Sequence, residues 1–109
     1  MSKARLPPVT HLQFLILGCL LDGEQPGRSL RDTIAGYGVR RTTPAFYQVM
    51  ARLERSRLVE GFYEQVTVGD QAVTERRYRL RPAGERAWAE TREFYRLAPG
   101  AARTRWSDA

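Results

Sequence analysis

At Leu58 the apolar residues of this chain change their period. Before it they recur every three or four positions; after it, L-V-E-G-F-Y-E-Q-V-T-V and A-V-T-E-R-R-Y-R-L follow the period of two that a strand imposes. Gly69-Asp70 separates these two runs, the two-residue spacer of a hairpin. Leu80, Tyr78 and Arg76 then share one face of the returning strand, and Arg77 and Arg79 point the other way. A chain that forms helices first and one hairpin afterwards has few ways to bury both. The helices must supply the core, and the hairpin must lean on one of them.

The helical half carries its own punctuation. Thr10 with Gln13 three residues on is a capping-box pattern, so the first helix is predicted to start there. Leu12, Leu15, Ile16, Cys19 and Leu20 form its stripe, and Phe14, Leu17 and Leu21 widen it until Asp22-Gly23. A helix apolar nearly all round belongs at the centre of a core. Gln25-Pro26-Gly27 reads as a turn, and Leu30, Ile34 and Tyr37 predict a short second helix that stops at Gly36 to Gly38. The third helix spans about 43–56, with Thr43 as N-cap and Pro44 at the first helical position. Phe46, Val49, Met50 and Leu53 are its buried stripe; Gln48, Ala51 and Arg55 stand opposite, flanked by Tyr47 and Arg52. After the hairpin, Pro82 opens a last helix through about Leu97, and Pro99-Gly100 stops it.

Residues 11–23, H-L-Q-F-L-I-L-G-C-L-L-D-G, also have the look of an export signal behind Lys3 and Arg5, with Ile16-Leu17-Gly18-Cys19 as a lipoprotein cleavage box. Pro7-Pro8, His11 and Gln13 cut the apolar run short, and Leu20-Leu21 continue the stripe past the cleavage point. About eight to ten apolar residues are too few to cross a bilayer. The stretch therefore reads as the buried first helix, and the chain as cytoplasmic with no membrane contact.

The 109 residues suit one domain with one modest core. One cysteine and one histidine leave no disulfide and no cysteine-rich metal site, and no nucleophile or phosphate-loop pattern is present. No enzyme, metal or cofactor is expected. The net charge is +6, and its placement is more informative than its size. Arg40–Arg57 holds five arginines against Glu54, and Glu75–Arg81 holds four against Glu75. Either window alone reads as a solvated face. Together they carry +7, leaving −1 for everything else, which points to an anionic ligand.

Three helices, a basic third helix and then a hairpin is the order of a winged helix-turn-helix. The fold class is thus mainly α with a small β-hairpin (α+β). Residues 1–8 form an arm, 9–81 the DNA-binding domain, 82–98 a C-terminal dimerisation helix and 99–109 a tail. Double-stranded DNA is the partner such a charge map suits. Thr42, Thr43 and the free amides at the start of the third helix suit a phosphate, with Arg40 and Arg41 on the same backbone. Gln48 pairs with adenine edges, Arg52 or Arg55 with guanine or phosphate, and Ala51 leaves room for a thymine methyl. Tyr47 reaches a phosphate or packs. Arg77 and Arg79 are the wing's phosphate contacts, and Arg77→Ala is expected to weaken binding to all sequences alike. Ala87, Trp88, Thr91, Phe94 and Tyr95 form an apolar face too large for a lone helix in water, so a homodimer interface is expected there.

The segments A-F-Y-Q-V-M-A-R-L-E-R-S-R-L-V-E-G, L-Q-F-L-I-L-G-C-L-L-D-G-E-Q-P-G and E-R-R-Y-R-L-R-P-A-G-E-R-A-W together resemble the PadR family of bacterial transcriptional regulators, over about residues 9–97. The resemblance implies a dimeric DNA-binding regulator, usually a repressor, with the last helix in the dimer interface. It also brings in Trp88, because some members hold a small aromatic effector at that interface; packing between subunits is the more ordinary role for such a tryptophan. Arg57 stands where the family commonly has glycine before the wing, and a left-handed cap there costs a non-glycine residue roughly 1 kcal/mol. Arg28 replaces an aromatic after Gly27, and the C-terminal part is one short helix. The alternative function is a winged-helix protein-interaction or small-molecule-sensing module that does not bind DNA.

Overall fold

The computed structural model describes residues 6–100, so residues 1–5 of the expected arm and 101–109 of the expected tail lie outside the described residues. The order is α1 (His11–Cys19), β1 (Gln25–Pro26), α2 (Gly27–Gly36), α3 (Thr43–Arg55), β2 (Val59–Val68), β3 (Gln71–Leu80) and α4 (Pro82–Leu97). This is the α+β winged-helix arrangement that the change of period at Leu58 requires.

Thr10 caps α1 in both directions of a capping box: its hydroxyl accepts from the Gln13 amide at 3.1 Å, and the Gln13 side chain accepts from the Thr10 amide at 3.0 Å. Ile16, Leu17 and Leu20 of this segment are buried, and Leu30, Ile34, Phe46, Met50 and Leu53 from α2 and α3 complete the helical core. Val59 and Tyr78 join it from the hairpin, so the wing is anchored in the core through its inner face.

Three local expectations are corrected. Gln25-Pro26 is a short strand rather than part of a turn, pairing Gln25 with Tyr78 and Pro26 with Arg77. The sheet order β1-β3-β2 makes it an edge, where a proline without an amide donor is tolerated. Tyr37 leaves the apolar stripe of α2 and is exposed, because the helix ends at Gly36. Gly38 (φ 87°) then turns the chain, Val39 N–H reaches back to Ile34 C=O at 3.0 Å, and Val39 packs on the core in place of Tyr37. Thirdly, Thr42 rather than Thr43 caps α3, accepting from the Ala45 amide at 3.2 Å, which moves Pro44 to the second helical position.

The α3 helix ends in the same reciprocal motif as α2. Arg57 N–H bonds to Glu54 C=O at 2.9 Å and Leu58 N–H to Leu53 C=O at 3.0 Å. The residue at the left-handed position is Arg57, φ 59°, the one non-glycine residue with positive φ among the described residues. The strained cap expected from the sequence is present.

Beyond it, β2 and β3 pair in register from Val59–Leu80 to Val68–Gln71. Gly69 (φ 62°) followed by Asp70 at ordinary negative φ gives the order of a type II′ turn. The entry to α4 is locked at the wing's base: the Arg81 amide donates to Leu58 C=O at 3.0 Å. Gly84 lies so close to that carbonyl that an added Cβ would overlap it.

Candidate nucleic-acid interface

The outer face of α3 is an exposed basic surface. Phe46, Met50 and Leu53 point into the core, so Gln48, Arg52 and Arg55 project outward and line one shallow recess with half-buried Ala51 at its floor. Arg52 also borders a second recess, shared with Arg41 and with Thr10, His11 and Gln13 at the start of α1. Arg40 and Arg41 border a third, with Arg31 and Asp32 of α2. The expected residues Arg40, Arg41, Gln48, Ala51, Arg52 and Arg55 thus form one continuous surface. Among the described residues none of its four arginines is in an ion pair.

Arg31 belongs to this surface and was not singled out in the sequence. Its Nη2 donates to Arg41 C=O at 3.3 Å, which ties the α2–α3 loop to α2. The clue was its position next to Leu30, which turns it away from the core stripe.

The start of α3 offers less to a phosphate than expected. Thr42 and Thr43 are exposed there, but Pro44 has no N–H and the Ala45 amide is taken by the Thr42 hydroxyl. Only the amides of Thr42 and Thr43 remain of the four a helix leaves free. Tyr47 is half-buried and packs edge-on to Phe46 at 5.2 Å. Its ring covers Gly27, where an added Cβ would come within 2.7 Å of the hydroxyl oxygen. Of the two roles open to Tyr47, packing is the one it has.

The wing departs most from expectation. Arg77 is only 18% exposed and is surrounded by carboxylates: Glu75 at 2.5 Å, Glu64 at 3.0 Å and Glu24 at 3.6 Å. Glu64 and Glu75 are directly opposite each other across the strands, a like-charge pair that Arg77 neutralises. Its Nη1 donates to Glu75, while its Nε faces Glu64 and Glu24 by charge alone, without an aligned hydrogen bond. Arg28, the residue in the aromatic's place, donates to Glu75 at 2.9 Å from the other side. These hydrogen bonds, Arg28's first and then Arg77's, hold the Glu75 carboxyl below its ordinary 4.5. Arg79 pairs with Glu60 at 3.0 Å and lies over the Phe62 ring at 4.3 Å, though half-exposed. Arg77 is therefore removed from the phosphate candidates, because its charge is consumed inside the protein. From Gln65 to Thr74 the wing carries no cation at all, only Asp70.

The apolar face of α4 is divided. Ala87 and Thr91 are 5% and 0% exposed, buried within this chain, and the Thr91 hydroxyl donates to Ala87 C=O at 2.6 Å. Trp88 stacks on Phe14 of α1 at 6.1 Å, and Tyr95 stacks on His11 at 5.3 Å. The α1 helix covers much of the face assigned to a partner, which corrects Ala87 and Thr91 as dimer contacts. Parts of Trp88, Phe94 and Tyr95 stay accessible, with Leu97 beside them. Trp88 also borders an open recess of about 300 Å³ with Phe14, Leu15, Gly18, Cys19 and Tyr37. Burial pushes the Cys19 thiol up, so it stands there as a neutral apolar group. Among the described residues no cluster of histidine, cysteine and carboxylates is arranged to hold a metal, and no helix is long and apolar enough to cross a membrane.

No protein-family model matches the sequence, and no curated relative matches it. Solved structures do. A transcriptional regulator from Clostridium thermocellum superimposes with a TM-score of 0.69 at 20% identity, over 86% of this chain and 88% of that one. A PadR family regulator from Clostridium difficile gives 0.73 at 14% identity, over 87% and 97%. Bacillus subtilis PadR, solved in complex with operator DNA, gives 0.59 at 18% identity, over 74% of this chain and 46% of that one. Element order, sheet topology and these superpositions agree: the chain has the winged-helix fold of the PadR-type transcription regulators.

Proposed function

We propose that this chain is a sequence-specific DNA-binding transcriptional regulator, a repressor acting as a homodimer, with α3 in the major groove. The observation that carries the reading is the outer face of α3. Gln48, Arg52 and Arg55 surround Ala51 there, and Arg40 and Arg41 flank it, and among the described residues no carboxylate forms an ion pair with any of the four arginines. Glutamine and arginine on an exposed helix face are the side chains that read adenine and guanine edges. The operator-bound B. subtilis structure supports DNA as the ligand of this fold.

The backbone contacts come from Arg40, Arg41, Thr42 and Thr43, with Arg79 as the wing's remaining candidate. The dimer uses the outer parts of Trp88, Phe94 and Tyr95 together with Leu97. A mobility-shift titration against the chain's own promoter region, at two salt concentrations, tests the function. Binding that is tighter than to random DNA and falls steeply with salt is expected; equal affinity for both DNAs sinks the proposal. For the dimer, light scattering at tens of micromolar, as an order of magnitude, should give twice the monomer mass.

A further inference from the structure

The wing's two faces are held to the body at the same level by different devices. On the outer face sits the Arg77 cluster just described. On the inner face Arg76 crosses to α3, where its Nη2 donates to Glu54 Oε1 at 2.6 Å with both side chains about one-quarter exposed. The Arg76 guanidinium also lies over the Tyr63 ring at 4.7 Å and near the Tyr78 ring at 5.6 Å. Tyr63 is the cross-strand partner of Arg76, and Gly61 is that of Tyr78. Gly61 has no Cβ to spare: one added there would overlap both the Glu54 carboxylate and Arg76 Nη2. A glycine inside a strand weakens it, so its presence marks a close approach. Three residues on the two strands, Gly61, Tyr63 and Tyr78, surround one ion pair between β3 and α3.

We propose that Glu54 and Arg76 are positioning residues that fix the angle of the wing relative to the reading helix α3, and so set where the wing meets DNA. The proposal rests on the regulator reading for its functional consequence. Its mechanical part follows from leverage. From Arg76 to the last pair before the turn, Val68–Gln71, the hairpin runs five residues, roughly 17 Å at the rise of a strand, and a small tilt at the base becomes several ångströms at the tip. Glu54 is on the last turn of α3, off the Gln48/Arg52/Arg55 face, and its carboxylate is engaged by Arg76. It transmits the helix's orientation to the wing. Arginine is needed rather than lysine, because a planar guanidinium can stack on Tyr63 while it donates to Glu54.

The test uses the full chain in two arms. In the first, Cys19→Ala removes the native thiol, and spin labels at Asp32→Cys and Asp70→Cys, diluted with unlabelled chain, report the distance from body to wing tip. A narrow distribution is expected with the pair intact. It should broaden in Glu54→Gln and in Arg76→Met while the melting transition stays cooperative. In the second arm the same substitutions are made in the unlabelled chain. Operator and random-DNA affinity should fall together, about tenfold in each, because the wing's contacts are to the backbone, and the double variant should lose no more than either single. Unchanged distances overturn the proposal, and so do multiplicative losses of about a hundredfold in the double. If the unsubstituted chain shows no preference for any DNA, the regulator reading falls and the distance arm alone decides the pair. Should a neutral variant unfold, Arg76→Lys carries the test. It keeps a cation without the stack, and a smaller broadening is expected, whereas none at all counts against the pair.

Discussion

At the scale of single residues, chemistry and conformation pull on the same positions for different reasons. Arg57 occupies a left-handed cap because the Schellman motif at the end of α3 demands it, not because arginine favours it. Arg57→Gly should raise stability by about 1 kcal/mol, read as a higher urea midpoint at unchanged slope. Gly84 is the reverse case. Gly84→Ala drives a methyl into the Leu58 carbonyl and should cost about 2–3 kcal/mol, read in the same titration. On the exposed face, Gln48→Ala and Arg52→Ala should change which sequences bind, whereas Arg40→Ala and Arg41→Ala should weaken operator and random DNA alike. Competition shifts with matched and mismatched duplexes separate the two classes; equal losses for all four would remove the division. Arg77→Ala now belongs with neither, since its loss leaves Glu64 facing Glu75 and should loosen the wing first.

At the scale of elements, the hairpin adds an outer cluster of charges to its core anchor of Val59 and Tyr78, whereas the helices rest on apolar packing, and acid separates the two. Glu75 has its carboxyl below the ordinary 4.5 because Arg28 and Arg77 donate to its ionised form. A lowered folded value means the contribution is fully present above 4.5 and is lost as pH falls below 4.5 through the lowered value. On acidification, amides of β2 and β3 should therefore lose exchange protection before those of α1. Glu75→Gln should show reduced wing protection already at pH 7 and a weaker acid step. Simultaneous loss of protection in α1 and the wing would contradict this. The α4 helix shows the limit of periodicity at this same scale: one helix shows only that a face is apolar, and α1 of the same chain is what lies on it.

At the scale of the whole molecule, what the sequence discloses follows the range of the forces involved. The elements were legible because their signals are local: Thr10 with Gln13, the Gly69-Asp70 turn and Pro82 each act within a few residues. The reading face of α3 was legible for the same reason, since Phe46, Met50 and Leu53 fix by periodicity what must point outward. The state of the wing's arginines was not. Glu24, Glu54, Glu60 and Glu64 lie 13 to 53 residues from the arginines they neutralise, and only the folded register brings them together. Counting arginines along the chain therefore overstated the wing and understated α2, where Arg31 braces the loop before α3. The one-residue shift of the α3 cap had a similar origin, because Thr42 and Thr43 are chemically equal and only the helix start chooses between them.

The ion-paired wing has a consequence for encounter as well as for grip. With Arg76, Arg77 and Arg79 paired with carboxylates, Arg40, Arg41, Arg52 and Arg55, which are in no ion pair among the described residues, concentrate free positive charge around α3 rather than on the wing. In the field of a polyanion such a molecule turns while still several ångströms away and arrives with α3 foremost. Stopped-flow association should slow steeply between about 50 and 200 mM salt, far more than dissociation changes. Restoring free positive charge to the wing, as in Glu60→Gln, should raise overall attraction yet blunt that orientation.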